Sequence, residues 1–122
     1  MNIVLGRKVV ESLGTKYTVL SLDQFSIPGE TSPVQAYCVL EDIPLDEMAE
    51  IEQWKLLHEN LIQNYAKRNW QFCTQALEHL KGRWNHQLDS FYQNLDSRIT
   101  DLQNQVLPDD WSPVINRSDE DR

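Results

Sequence analysis

Hydrophobic and polar positions follow two periods along this chain, and the change comes near residue 42. The segment "KYTVLSLDQFSI" at 16–27 is rich in β-branched and aromatic residues, with Tyr17, Val19 and Ser21 alternating against Thr18, Leu20 and Leu22. In "VQAYCVL" at 34–40, Val34, Ala36, Cys38 and Leu40 alternate against Gln35, Tyr37 and Val39. Period-2 alternation with this composition predicts two strands. Between them stand Pro28 and Gly29, where proline presets φ and glycine permits a positive φ. Pro33 marks the edge of the second strand. Together the segments predict an antiparallel hairpin. A hairpin alone is marginal in water, so it needs a helix or another sheet beside it. Upstream, "RKVVESLG" predicts a short helix closed by Gly14.

Beyond residue 42 the period becomes helical. Pro44 ends the hairpin unit, and Asp46 stands where a helix N-cap is expected. A first helix is predicted over 46–67, with Ile51, Trp54, Leu57 or His58, Leu61 and Tyr65 on its apolar face. Arg68-Asn69 is a short break. A second helix over 70–81 carries Trp70, Cys73, Leu77 and Leu80, with Trp84 continuing the stripe after a stop at Gly82. A third over 86–105 carries Leu88, Phe91 or Tyr92, Leu95, Ile99, Leu102 and Val106. Short links make such helices antiparallel neighbours. The expected class is α+β: a β-hairpin unit over 1–42 and a three-helix antiparallel bundle over 43–106. A proline-containing acidic tail follows over 107–122, ending in a charged, unstructured "NRSDEDR". At this length the whole is expected to form one domain.

Charge narrows the function classes. Nineteen acidic residues against 11 basic ones give a net charge of -8. The basic residues are scattered, whereas a phosphate backbone needs them clustered, so nucleic acid is not an expected partner. No run of 18 apolar residues predicts a membrane span, and the N-terminus lacks the apolar core and cleavage site of a signal peptide. A cytoplasmic setting is therefore expected, with Cys38 and Cys73 as small buried apolar residues rather than a disulfide.

Candidate chemistry is sparse. His58, His79 and His86 could converge with Cys73 or Glu78 on a metal, but "HEN" at 58–60 lacks the second histidine of a zinc motif. They read as surface or interface residues. The acids of "DEMAEIE" at 46–52 suit a helix N-terminus. Gly6, Gly14, Gly29 and Gly82 are isolated, so no phosphate-cradling loop is formed. No catalytic, cofactor-binding or metal residue is assigned. The aromatic set is the remaining signal. Most of it fills the helical core, but tryptophan and tyrosine also anchor interfaces. Trp54, Tyr65, Trp70, Phe72 and Trp111 are the candidate partner-binding residues, with Phe72 expected to be the exposed anchor and Trp111 the second.

Several of these features also carry a family resemblance. Ile27, Gly29, Pro33, Val34, Tyr37 and Val39 resemble the final hairpin of bacterial class III adenylate/guanylate cyclase domains, and "IVLGRKVVESLG" resembles the strand and helix before it. Tyr65, Arg68, Trp70 and Cys73, followed by Asp89, Tyr92 or Leu95, Arg98 and Ile99, resemble the helical segment that follows such domains. "LPDDWSPV" resembles the close of their tails. The likeness runs over about residues 3 to 114, and "YAKRNWQFCTQAL" also resembles the turn of a tetratricopeptide helix pair. The family's two metal-binding aspartates and its transition-state asparagine and arginine precede the matched region. No residue here inherits those roles. The resemblance implies a non-enzymatic interaction or regulatory module with tetratricopeptide-like helices, acting by docking a protein or by self-association. The exposed hairpin edge is expected to accept a partner's strand. The alternatives are a cyclase-related chain that completes an active site in trans, or a structural subunit of a larger assembly.

Overall fold

Both period-2 segments are strands in the computed structural model, which describes residues 2–13, 17–41, 43 and 45–116. The architecture is α+β. Residues 1–41 and 112–122 fall in one compact unit and residues 42–111 in another.

In the first unit, β1 (Asn2–Leu5) leads into α1 (Arg7–Leu13), then β2 (Val19–Ser26) and β3 (Val34–Val39). β2 and β3 pair antiparallel, and β1 pairs antiparallel with the other edge of β3. Leu20, Leu22, Ala36 and Cys38 are buried, as the alternation requires, and Leu40 and Val39 are buried with them. The connecting turn is the expected one: Glu30 N–H donates to Ile27 O at 3.1 Å around Pro28 and Gly29, whose φ is +90°. Positive φ at the third turn position is the reason for glycine there.

Two features of the sheet depart from the sequence reading. The pairing shifts between Ser21 and Gln24, so three steps along β2 oppose two along β3. The Gln35 amide fills this bulge, donating to Leu22 O at 2.8 Å and Ala36 O at 2.9 Å, with a longer contact to Asp23 O at 3.3 Å. The second departure is a fourth strand. β4 (Ile115–Asn116) pairs parallel with the end of β2, giving the order β1-β3-β2-β4. The expected hairpin edge is thus occupied in part. β1 pairs with β3 from Ala36 to Val39, and β4 pairs with β2 at Phe25 and Ser26. β4 is only two residues long and follows two prolines, so periodicity could not show it.

In the second unit the expected first helix is two: α2 (Leu45–Met48) and α3 (Ile51–Ala66). The chain leaves helical geometry at Glu50, with ψ 13°. Asp46 lies inside α2 rather than capping it. α4 (Trp70–Leu80) stops before Gly82, whose φ is +85°. The expected third helix begins late, as α5 (Asp89–Gln103). Val106 lies beyond it and is fully exposed, which corrects its assignment to the apolar face.

The helical core is built from Leu61, Tyr65, Cys73, Ala76, Leu77, Leu80, Trp84, Leu88, Tyr92, Leu95 and Ile99. Tyr65 meets Trp70 while Leu61 O meets Cys73 Sγ, so α4 runs back along α3. His58 meets Tyr92 while Arg98 meets Tyr65, so α5 runs in the direction of α3. The expected tail does not stand apart. Residues 107–111 belong to the helical unit and 112–116 to the sheet unit. Gly14 and Pro44, and 117–122 of the charged end, lie outside the described residues. No helix among the described residues is long and apolar enough to cross a membrane.

Candidate functional site

Three of the five expected partner-binding residues converge. Tyr65 lies in the last turn of α3, Trp70 begins α4, and Trp111 arrives from the segment after α5. Their rings form a triangle in which each pair of centroids is 5.8 Å apart and each pair is edge-on. This is the favoured geometry, because a ring's positive edge meets its neighbour's negative face. Tyr65 is buried, and both tryptophans keep part of their surface open.

Two arginines border the triangle. The Arg68 guanidinium lies 5.5 Å from the Trp111 ring, and that of Arg98 lies 5.8 Å from the Tyr65 ring. Arg68 is held in place by its backbone. It sits in the three-residue connector between α3 and α4 with φ +64°, a region that non-glycine residues enter at a cost. Asn69 fixes the connector by donating its N–H to Asn64 O at 2.9 Å and its side-chain amide to Asn64 Oδ1 at 3.1 Å. From there Arg68 Nη2 donates to Pro108 O at 2.6 Å and Asp109 O at 3.2 Å.

The other two candidates lie elsewhere. Trp54 is half-buried on α3, with Arg83 stacked 3.6 Å above its ring and its Nε1 donating to Glu50 Oε2 at 3.2 Å. Phe72 follows Trp70 by two positions, roughly 200° around the helix. It is half-buried, not the exposed anchor expected, and the triangle does not include it.

A buried polar chain runs through the core of this unit. Trp84 Nε1 donates to Tyr92 Oη at 2.9 Å, and Tyr92 Oη is 2.9 Å from His58 Nδ1. His58 is completely buried, which corrects its reading as a surface or interface residue. The helical spacing allowed either Leu57 or His58 on the inner face, and a hydroxyl partner 34 positions away is not a local sequence signal.

The loop before α5 carries a strained turn. Trp84, Asn85 and His86 have φ of +59°, +53° and +63° in succession. Such runs cost roughly 1–2 kcal/mol per residue. Burial of the Trp84 ring and the hydrogen bond from Trp84 N–H to Glu47 Oε2 at 3.1 Å hold it. The Asp89 carboxylate adds a clasp, accepting from Gly82 N–H at 2.8 Å and meeting His86 Nδ1 at 2.7 Å. Burial raises the Asp89 pKa, but the hydrogen bonds from His86 and Gly82 and the His86 charge outweigh it and hold the group below its ordinary value. Beside this turn lies an open polar cleft of ≈ 340 Å³ lined by Glu47, Glu78, His79, Lys81, Gly82 and Arg83. Its side chains include two acids and two cations, so it favours neither sign of ligand.

Cys73 is buried, and desolvation pushes its thiol up to about 11. It is a packing group at neutral pH, not a nucleophile. Among the described residues, no three His, Cys, Asp or Glu side chains converge as a metal site. The arrangement offers aromatic faces and edges and guanidinium donors. Comparison with protein-family models, with curated proteins and with solved structures gives no match for this chain.

Proposed function

We propose that this chain is a non-enzymatic, cytoplasmic protein-interaction module whose helical unit docks a protein partner at the α3–α4 connector. The carrying observation is the Tyr65–Trp70–Trp111 triangle bordered by Arg68 and Arg98. Tryptophan, tyrosine and arginine are the residues that dominate interface energetics when clustered on a firm base. The reversal from α3 to α4 and the return along α5 support reading the unit as a tetratricopeptide-like helical arrangement, a scaffold suited to docking. Trp70 is the anchor in this reading. The test is recovery of bound protein by the immobilised chain. Trp70→Ala, checked for folding by circular dichroism, should lose the partner, while Phe72→Ala should keep it. Equal recovery by wild type and a folded Trp70→Ala variant would sink the proposal.

A second reading keeps one specific support. The order strand, short helix, hairpin in the first unit is the order that the resemblance to class III cyclases implies for the end of a catalytic domain. Such a chain would complete an active site in trans. Calorimetry with ATP and Mn²⁺ or Mg²⁺ separates the two, since a docking module should give no heat at high nucleotide.

A further inference from the structure

The connector is in contact with a later segment of the same chain. Pro108 to Trp111 form a turn closed by Trp111 N–H donating to Pro108 O at 3.0 Å. Arg68 Nη2 reads the backbone of that turn at two successive carbonyls, at 2.6 and 3.2 Å. Trp111, at the fourth position of the turn, puts its ring against Tyr65 and Trp70. Asp109 and Asp110, at the two central positions, are exposed, in a chain whose net charge is -8. Two elements of recognition are thus assigned, guanidinium to carbonyl and ring edge to ring face, and the turn presents two exposed acids.

From this we infer that the Tyr65–Arg68–Trp70 surface is a receptor for an acidic β-turn with proline first and tryptophan fourth, and that residues 108–111 fill it in cis as a built-in competitor. The inference rests on the docking role proposed above and names the chemistry of the partner: a protein segment displaying a Pro-acid-acid-Trp turn. Three observations favour a removable occupant over permanent core. Trp111 stays half-exposed, whereas the structural tryptophan Trp84 is buried. The segment lies outside any helix or strand, between α5 and β4. Its polar hold is on backbone carbonyls, which any peptide of the same turn geometry supplies. The φ of Arg68 sets the direction in which its side chain leaves the connector. As part of the same chain the cis segment acts at a high effective concentration, so an outside peptide competes poorly until the cis turn is weakened.

The probe is a fluorescently labelled peptide, Leu-Pro-Asp-Asp-Trp-Ser, titrated against the full-length chain and read by anisotropy. W111A should bind it about tenfold or more tightly than wild type, because the cis competitor has lost its anchor. Adding R68A to W111A should remove that binding, and the peptide with alanine for tryptophan should not bind. If W111A is too unstable for titration, W111L takes its place, and excess peptide should raise the Tm of either one but not that of its R68A double variant. Equal affinity for wild type and W111A, no binding to either Trp111 variant, or binding that survives R68A would overturn the inference. A wild-type dimer at micromolar concentration that dissociates in W111A would also overturn it, since the occupant would then be a second copy. Failure here with continued loss of partner by Trp70→Ala would leave the broader docking reading standing, so the two fail separately.

Discussion

The indole N–H of Trp84 donates to the hydroxyl of Tyr92 at 2.9 Å, inside a core that exposes 1% of the one residue and none of the other. A tryptophan N–H can only donate, so the hydroxyl oxygen accepts it and has its own proton to give. The His58 tautomer protonated at Nε2 receives that proton at Nδ1. The pair explains how the strained turn at Trp84–His86 persists: the ring at its start is both packed and hydrogen-bonded. Tyr92→Phe keeps the ring and leaves the Trp84 N–H without its acceptor. A buried donor stranded in this way costs about 1–3 kcal/mol. Urea unfolding should show that loss at an unchanged slope. A midpoint equal to that of the wild type would mean that the hydroxyl contributes nothing to stability.

Gly82 tests the backbone at the end of the same loop. An added Cβ would meet nothing closer than His86 Cε1 at 3.6 Å, so space is not the constraint. The constraint is φ +85°, which an L side chain rarely adopts. Gly82→Ala should therefore destabilise by roughly 1–2 kcal/mol. Asn85, at φ +53° and ψ 41°, gives the opposite test. Asn85→Gly relieves the same kind of strain, so thermal unfolding should show it closer to neutral than Gly82→Ala or stabilising. Equal losses in both variants would show that something other than φ governs this loop.

In the sheet unit the corresponding test is Gln35. Its amide bridges the bulge of β2 by donating to Leu22 O and Ala36 O. Gln35→Leu preserves bulk and removes both donors, and should cost about 1–3 kcal/mol. Hydrogen exchange should show the loss as faster exchange along β2 and β3. Protection unchanged across Ser21 to Gln24 would show that the bulge stands without the amide.

The sequence made the regular parts of this fold legible because they follow a period. Leu20 and Leu22, Ala36 and Cys38, and Leu61, Cys73, Leu77 and Leu95 fall on faces that alternation or helical spacing selects. The features it did not show depend on distant partners or on short irregular chain. The periodicity puts Asp89 within a longer helix, because nothing nearby in sequence reveals that its carboxylate turns back to Gly82. β4 has two residues and pairs with β2 some 90 positions earlier. The candidate site was half visible. Tyr65, Trp70 and Trp111 stand out in the sequence as aromatics suited to more than bulk, but their meeting depends on Arg68 and on the turn at Pro108. Phe72 lies off the helical stripe, and the same position takes it away from Trp70.

Stability should depend on pH at both ends of the range, for opposite reasons. Asp89 has a folded pKa below its ordinary 3.8. Its contribution is fully present above that value and is lost as pH falls through the lower folded one, because protonation ends its acceptance from Gly82 and His86. Cys73 has a folded pKa of about 11 against an ordinary 9.0. Its thiol contributes fully below 9.0, and that contribution is lost as pH rises from 9.0 toward 11. Unfolding midpoints measured across pH for Asp89→Asn and Cys73→Ala separate the two. The Asp89→Asn variant should lose the part of the acid dependence below pH 4 that belongs to this carboxylate, and Cys73→Ala the part above pH 9. An acid profile identical in wild type and Asp89→Asn would show that the clasp on Gly82 and His86 carries no stability. A Cys73 thiol alkylated at pH 8 as fast in the folded chain as in urea would show that its burial does not hold.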